Sequence, residues 1–152
     1  MKKVIICLIA FCYVFLVSCR GKTDEVNINN ANEYDWGVAL RAENVTTESV
    51  TLICTQSGGG LTGELNTGEE YFLEVKVEDN WEAVPTVIDN YGWDSVAYIV
   101  NIEGETSWDI NWSWIYGKLE PGEYRIGKEF MDFRETANYD TAVFYAEFEI
   151  TE

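Results

Sequence analysis

The chain has 152 residues, the length of one domain or of one domain with a tail. It contains 27 acidic and 10 basic residues and no His, and an aromatic fraction of 14% argues against a disordered chain because aromatic residues build a core. The net charge of −17 argues against nucleic-acid binding. The lack of His excludes Ser–His–Asp and Cys–His catalysis and His-ligated metal sites.

Residues 1–18 have the pattern of a bacterial secretion signal. Two lysines follow Met1, and residues 4–17 carry no charge. This uncharged run is shorter than the roughly 20 residues that a membrane-spanning helix needs. The sequence Leu-Val-Ser-Cys at residues 16–19 resembles the lipobox of bacterial lipoproteins, which implies cleavage before Cys19 and a diacylglyceryl group on its sulfur. An ordinary secreted protein that is cut nearby is the alternative.

Cleavage before Cys19 removes two lysines and no acidic residue, so the mature chain has 27 acidic and 8 basic residues and a net charge of −19. Residues 19–35 are polar and rich in Asn, and we predict that they form a flexible tether to a domain at residues 36–152. Only Cys19 and Cys54 remain after cleavage, so we expect no disulfide in the domain. Cys54 lies in an apolar strand pattern and is expected to be buried.

From Trp36 onward, apolar residues recur at every second position, as in strands with one buried face. Turn residues separate these strands, including the glycines at 58–60, Pro85 and Gly104. The pattern predicts an all-β fold, an antiparallel sandwich of seven to eight strands, with a small antiparallel barrel as the alternative. Residues 113–118 are also compatible with one turn of helix. The strand pattern covers residues 38–43, 50–55, 71–78, 81–84, 96–102, 108–114, 124–133 and 142–150.

Two features of this pattern concern the core. Trp108, Trp112 and Trp114 share the parity of the apolar face of their strand, which favours core positions for all three. Lys128 also shares the parity of an apolar face. Three explanations for Lys128 remain open: a strand edge, a side chain that extends to solvent, or a bulge at Gly127.

Several short motifs stand in a familiar order along the chain. They are Gly68-Glu69-Glu70-Tyr71, Leu73-Glu74, Trp81, Val84-Pro85, Trp112, Trp114, Tyr116-Gly117, Leu119, Pro121-Gly122, Tyr124-Arg125 and Phe130. Together they resemble the bacterial immunoglobulin-like domain of lipoproteins from Gram-positive clostridia and bacilli. The resemblance covers about residues 42–150, and it implies an Ig-like sandwich without established catalysis.

Pro121, Gly122 and Tyr124 also resemble a tyrosine corner, in which the Tyr hydroxyl bonds to nearby backbone. The chain differs from antibody-type domains, because Ile126 stands where their second Cys would lie. The proposed third strand also lacks their usual core Trp. An Ig-like sandwich, rather than an antibody-type domain, is therefore expected.

The loop at residues 89–94 is the best candidate ligand site in the sequence. It combines Tyr91 and Trp93 with the polar residues Asp89, Asn90 and Asp94, and flat aromatic rings stack on sugar rings. The alternative is a structured turn, in which the polar side chains bond their own backbone and Trp93 folds onto the sandwich.

We expect no metal site, no cofactor and no enzyme activity. Acidic loops at residues 78–80 and 89–90 offer oxygen ligands for calcium, but EF-hand spacing is absent, and so acidic a surface attracts cations loosely without a specific site. Paired carboxylates would serve a hydrolase. With 27 acidic residues present, however, such pairs carry no information.

The sequence thus predicts a lipoprotein at the outer face of the cytoplasmic membrane, anchored in lipid through Cys19, or alternatively a secreted protein. Its non-catalytic domain is expected to bind an unknown protein or envelope component. A glycan or small-molecule binder that uses the aromatic loop is the first alternative, and a hydrolase is the second.

Overall fold

The computed structural model describes residues 34–151, which form nine strands and one short helix. Cys19, the predicted signal peptide and the tether up to residue 33 lie outside the described residues. Among residues 34–151, no helix has the length and apolarity needed to cross a membrane. The elements are β1 Val38–Glu43, β2 Ser49–Gln56, β3 Glu64–Thr67, β4 Phe72–Val77, β5 Asn80–Ala83, β6 Tyr98–Ile99, β7 Gly104–Asn111, α1 Ser113–Tyr116, β8 Gly122–Glu135 and β9 Asn138–Ile150.

The strands form two antiparallel sheets. The smaller sheet has the order β1-β2-β7, with Cys54 of β2 opposite Leu40 on one side and Thr106 on the other. The larger sheet has the order β5-β4-β8-β3-β6, and β9 pairs with the opposite edge of β8. The predicted all-β, Ig-like sandwich is therefore confirmed, with nine strands instead of seven or eight, and the alternative of a single closed sheet is wrong.

Strand β8 changes its partner halfway along. Residues 124–127 pair with β4, and residues 130–133 pair with β3, while β9 pairs along nearly the whole other edge. Between β3 and β4 the chain bulges away from β8 at residues 68–71. Lys128 lies in β8 where the partner changes, so its side chain faces backbone that belongs to no strand.

Apolar side chains from both sheets form the core in two adjoining clusters. Trp108 and Leu40 pack against both clusters and connect them. Cys54 is fully buried as a free thiol, and burial raises its pKa to about 11, so it stays protonated at neutral pH. The larger cluster is Val50, Leu52, Tyr71, Leu73, Ile110, Trp112, Ile115, Tyr116, Leu119, Tyr124, Ile126, Ala146 and Ile150, and the smaller one is Trp36, Cys54, Leu65, Val100, Phe130 and Ala142.

The strand predicted at residues 96–102 is mostly wrong. Only Tyr98 and Ile99 pair, and their partner is β3, which the sequence pattern did not reveal because Leu65 is its only large apolar residue. The short β3 offers pairing positions to only two residues of the returning chain. Of the alternating apolar residues outside that contact, Val96 and Ile102 stay exposed at 44% and 55%, whereas Val100 is buried and its N–H donates to the Leu65 carbonyl at 2.9 Å.

The predicted core position of Trp114 is also wrong. Strand β7 ends at Asn111, whose Oδ1 accepts hydrogen bonds from the N–H (3.0 Å) and the hydroxyl (2.6 Å) of Ser113. A helical turn follows, in which successive side chains are about 100° apart rather than alternating. Trp112 is consequently fully buried and donates from Nε1 to the Thr47 carbonyl (3.1 Å), whereas Trp114 is 46% exposed.

The bend before β8 is held by one side-chain hydrogen bond. The hydroxyl of Tyr124 donates to the backbone carbonyl of Glu120 at 2.9 Å, the contact that a tyrosine corner requires. Pro121 and Gly122 lie inside this loop, and the Tyr124 ring stacks on Phe148 with a centroid distance of 5.8 Å.

Candidate functional site

Residues 84–97, which we name the β5–β6 loop, lie against α1 and against the segment that precedes β4. The N–H of Val87 donates to the carbonyl of Ile115 in α1 at 2.7 Å. The N–H of Asp94 donates to Oε2 of Glu69 at 2.9 Å. These two bonds position the loop and its aromatic side chains over one side of the sandwich.

Four rings from three parts of the chain meet at this loop, and we name them the aromatic cluster: Tyr71, Tyr91, Trp93 and Trp114. The Trp93 ring centroid lies 4.9 Å from that of Tyr71, 5.8 Å from Tyr91 and 5.6 Å from Trp114. The planes of Tyr91 and Trp114 meet that of Trp93 at 89° and 76°, the edge-to-face geometry that aromatic pairs prefer, and the Tyr71 ring is tilted by 60°. Tyr71 is buried, while Tyr91 and Trp114 are 40% and 46% exposed, so the cluster runs from the core to the surface.

A pocket of about 140 Å³ adjoins the aromatic cluster and is open to solvent on one side. It lies between β7 of the smaller sheet and β6 and β8 of the larger one. Its wall combines five aromatic side chains with three polar or charged ones, as in small-molecule sites, where a few polar groups orient the ligand. Its lining residues are the aromatics Tyr71, Trp93, Tyr98, Trp108 and Trp114, the polar residues Glu69, Asn111 and Lys128, and Ile110.

Lys128 is the one basic residue of this pocket, and it is only 2% exposed. Its Nζ donates to the carbonyls of Gly68 (2.6 Å) and Glu70 (3.2 Å), which belong to the bulge between β3 and β4, and it lies 5.5 Å from the Trp108 ring centroid. Burial lowers the pKa of Lys128 to about 8, although the nearby acidic side chains raise it. None of the three explanations left open by the sequence applies: Lys128 is a buried cation held by backbone carbonyls.

Tyr71 forms the inner end of the pocket as a neutral group. Its hydroxyl donates to the carbonyl of Asn111 at 3.3 Å. Burial raises the pKa of Tyr71, so the phenol keeps its proton at neutral pH. Tyr71 therefore contributes an apolar ring face rather than a charge.

The residues predicted from the loop fall into two groups. Trp93 lines the pocket, Tyr91 packs on Trp93 and Trp114 at its rim, and Asp94 uses its backbone N–H to orient Glu69. Asp89 and Asn90 are exposed and do not line the pocket.

Sequence reasoning missed most of the pocket wall. Tyr71 and Trp108 have the strand parity of core residues, and Glu69 belongs to a family motif that does not indicate a ligand site. Lys128 gave the one usable signal, because it breaks the polarity of an apolar strand face.

The buried carboxylates among residues 34–151 have structural partners rather than catalytic ones. Glu74 forms an ion pair with Arg125. Burial would raise the pKa of Asp132, but hydrogen bonds from Thr62 and Gly63 outweigh this effect and lower it. In the same residues, no group of three or more His, Cys, Asp or Glu side chains is placed to hold a metal ion.

Comparison with known protein families matches residues 22–149 to a family described as a bacterial Ig-like domain. This match covers most of the chain and includes every strand of the two sheets except the last residue of β9. Comparisons with curated proteins and with solved structures found no match.

Proposed function

Because the chain belongs to the bacterial Ig-like domain family, we propose that it is a lipoprotein of a Gram-positive bacterium whose domain binds a protein or another envelope component. Its anchor is a lipid on Cys19, which holds the domain at the outer face of the cytoplasmic membrane. Its binding surface is the aromatic cluster.

Bacterial Ig-like domains are generally non-enzymatic and are typically extracellular or at the cell surface. A domain of this kind acts through contact, so its exposed surface determines which molecules it binds.

The anchor is supported by the sequence of the first 19 residues. The basic start, the uncharged run and the Leu-Val-Ser-Cys motif stand in the order that lipoprotein processing requires. Two acyl chains give stable membrane attachment, where one chain gives only marginal binding.

The observation that carries the binding proposal is the exposure of the aromatic cluster. Tyr91 and Trp114 are 40% and 46% exposed although they contact each other and Trp93. Large aromatic residues that are grouped at a surface are typical of interaction sites, and Trp and Tyr are enriched among the residues that dominate binding energy.

The anchor is tested by the intact mass of the protein isolated from its native membrane, compared with the Cys19→Ser variant. We expect a mature chain that starts at Cys19 and carries the mass of a diacylglyceryl group, and a variant without that mass. An unmodified chain, or a chain cut at another residue, would contradict the anchor and favour a secreted protein.

The binding surface is tested by co-sedimentation of the full-length Cys19→Ser chain with purified cell envelopes, since this variant has no lipid of its own. Trp114→Ala is expected to lower the bound fraction about fivefold or more. The matched control is Tyr139→Ala, which removes an aromatic side chain that is 49% exposed on β9. Absence of co-sedimentation, or equal losses in both variants, would contradict the proposal.

A further inference from the structure

The size of the pocket limits its occupant to about one ring. Its volume is about 140 Å³. A protein cavity of roughly 150 Å³ holds one benzene molecule. A six-membered sugar ring is bulkier because of its hydroxyl groups, so this pocket accepts at most one such ring, with part of it in the solvent opening. Since one side is open to solvent, the ring can be the end of a longer molecule.

The pocket wall offers flat apolar faces that meet at steep angles. The ring planes of Trp93 and Trp114 are 76° apart, and those of Trp93 and Tyr71 are 60° apart. A sugar ring has apolar C–H groups on its faces and hydroxyl groups around its edge. It can lie against one indole ring and still direct its hydroxyl groups away from the other walls.

Polar groups of the pocket suit those hydroxyl groups. The Asp94 N–H holds one carboxylate oxygen of Glu69, and the second oxygen is an acceptor for a hydroxyl proton. The N–H and the hydroxyl of Ser113 both donate to Oδ1 of Asn111. The amide nitrogen of Asn111 is therefore the group that can donate a hydrogen bond to a sugar hydroxyl.

The charges of the pocket favour an uncharged ligand. Lys128 and Glu69 contribute one positive and one negative charge. Lys128 already donates to the carbonyls of Gly68 (2.6 Å), Glu70 (3.2 Å) and Glu69 (3.5 Å), so none of its three N–H groups is available to an anion. A cation would be repelled by the Lys128 ammonium, which lies beneath the same aromatic wall.

We infer that the pocket formed by Trp93, Trp108, Trp114, Glu69 and Asn111 binds one uncharged pyranose ring at the end of a glycan chain. This inference rests on the proposed function, because it names the class of envelope component that the aromatic cluster contacts.

The test records the indole N–H signals of the full-length Cys19→Ser chain by NMR during titration with single-ring probes. The uncharged probes are the methyl glycosides of glucose, galactose, mannose and N-acetylglucosamine. Tetramethylammonium and inorganic phosphate are the cationic and anionic probes. A single ring is expected to bind with a Kd on the order of 1 mM.

The six tryptophans provide internal controls. At least one uncharged glycoside is expected to shift the signals of Trp93, Trp108 and Trp114 and to leave those of Trp36, Trp81 and Trp112 unchanged. Trp114→Ala is expected to weaken binding about tenfold, while Trp81→Phe, in β5, leaves it unchanged. The unaffected indole signals report whether each variant is folded.

Every other outcome overturns the inference. Shifts with tetramethylammonium alone would indicate a cation cage, shifts with phosphate alone an anion site, and no shift up to about 100 mM of any glycoside would exclude a sugar site. If the chain still co-sediments with envelopes while no glycoside binds, the inference fails and the proposed function stands. If a glycoside binds but the chain does not co-sediment with envelopes, the proposed function fails and the sugar site stands.

Discussion

At the scale of single residues, Lys128 couples the stability of the domain to pH. Burial lowers its pKa to about 8, and the unfolded chain restores a value near 10.5. Between these values the unfolded chain binds the extra proton, so the free energy of unfolding should rise with pH, by at most about 1.4 kcal/mol per pH unit. Above pH 10 the raised pKa of buried Tyr71 and Tyr116 acts in the opposite direction, because the unfolded chain loses those protons first.

Urea unfolding of the wild type and of Lys128→Met at pH 7.5, 8.5 and 9.5 measures this dependence. Lys128→Met should be about 1–3 kcal/mol less stable at pH 7.5, because the carbonyls of Gly68 and Glu70 lose their donor. The free energy of unfolding of this variant should also no longer rise with pH. A wild type whose stability is flat or falls from pH 7.5 to 9.5 would contradict a buried charged lysine.

Tyr124 stabilises the bend before β8 through a single hydroxyl group. Tyr124→Phe removes the 2.9 Å hydrogen bond to Glu120 and leaves the ring in place, so we expect a loss of about 1 kcal/mol in urea unfolding. Tyr139→Phe is the matched control, because Tyr139 is 49% exposed and should change stability by less than about 0.5 kcal/mol. Equal effects in the two variants would argue against a tyrosine corner.

At the scale of the elements, the pairing of β4 with β8 depends on Gly127. The Phe72 ring covers Gly127, and a Cβ there would lie 2.3 Å from that ring. Phe72 also packs edge-to-face against Tyr145 of β9, with the ring centroids 5.8 Å apart. The Phe72 ring of β4 therefore contacts residues of both β8 and β9. Gly127→Ala should therefore cost about 1–3 kcal/mol, because the ring must move.

A double-mutant cycle in urea isolates this contact. In a Phe72→Ala background the obstructing ring is absent, so Gly127→Ala should cost less than half as much as in the wild type. The same cost in both backgrounds would mean that the methyl group acts through the backbone rather than through Phe72.

At the scale of the whole molecule, repulsion among acidic side chains opposes folding. The chain has 27 acidic and 10 basic residues, and the exposed ion pair of Arg41 with Glu105 contributes little. Added salt screens this repulsion. Thermal unfolding of the full chain should occur about 3–5 °C higher in 500 mM NaCl than in 20 mM NaCl. A Tm that falls with salt would mean that local ion pairs outweigh the net charge.

Local patterns were sufficient to predict the long strands. Apolar residues at every second position, such as Val50, Leu52 and Cys54, predict β2 because one face of a strand is buried and the other faces solvent. The same rule failed at Trp114, because a helical turn starts there, where the Ser113 N–H donates a hydrogen bond to Oδ1 of Asn111. It failed at residues 96–102 because a strand also needs a partner, and β3 is too short to provide one.

The sequence by itself determined the all-β class, the acidic charge and the positions of the main strands along the chain. Each of these depends on composition or on the pattern of neighbouring residues in the sequence. Only the tertiary structure decided the candidate site. Glu69, Trp93, Trp108 and Lys128 come from four separate segments, and their meeting depends on how two sheets pack and where β8 changes partner. Such contacts leave no period in the sequence, and the aromatic loop with Trp93 and the parity of Lys128 were the local signs of them.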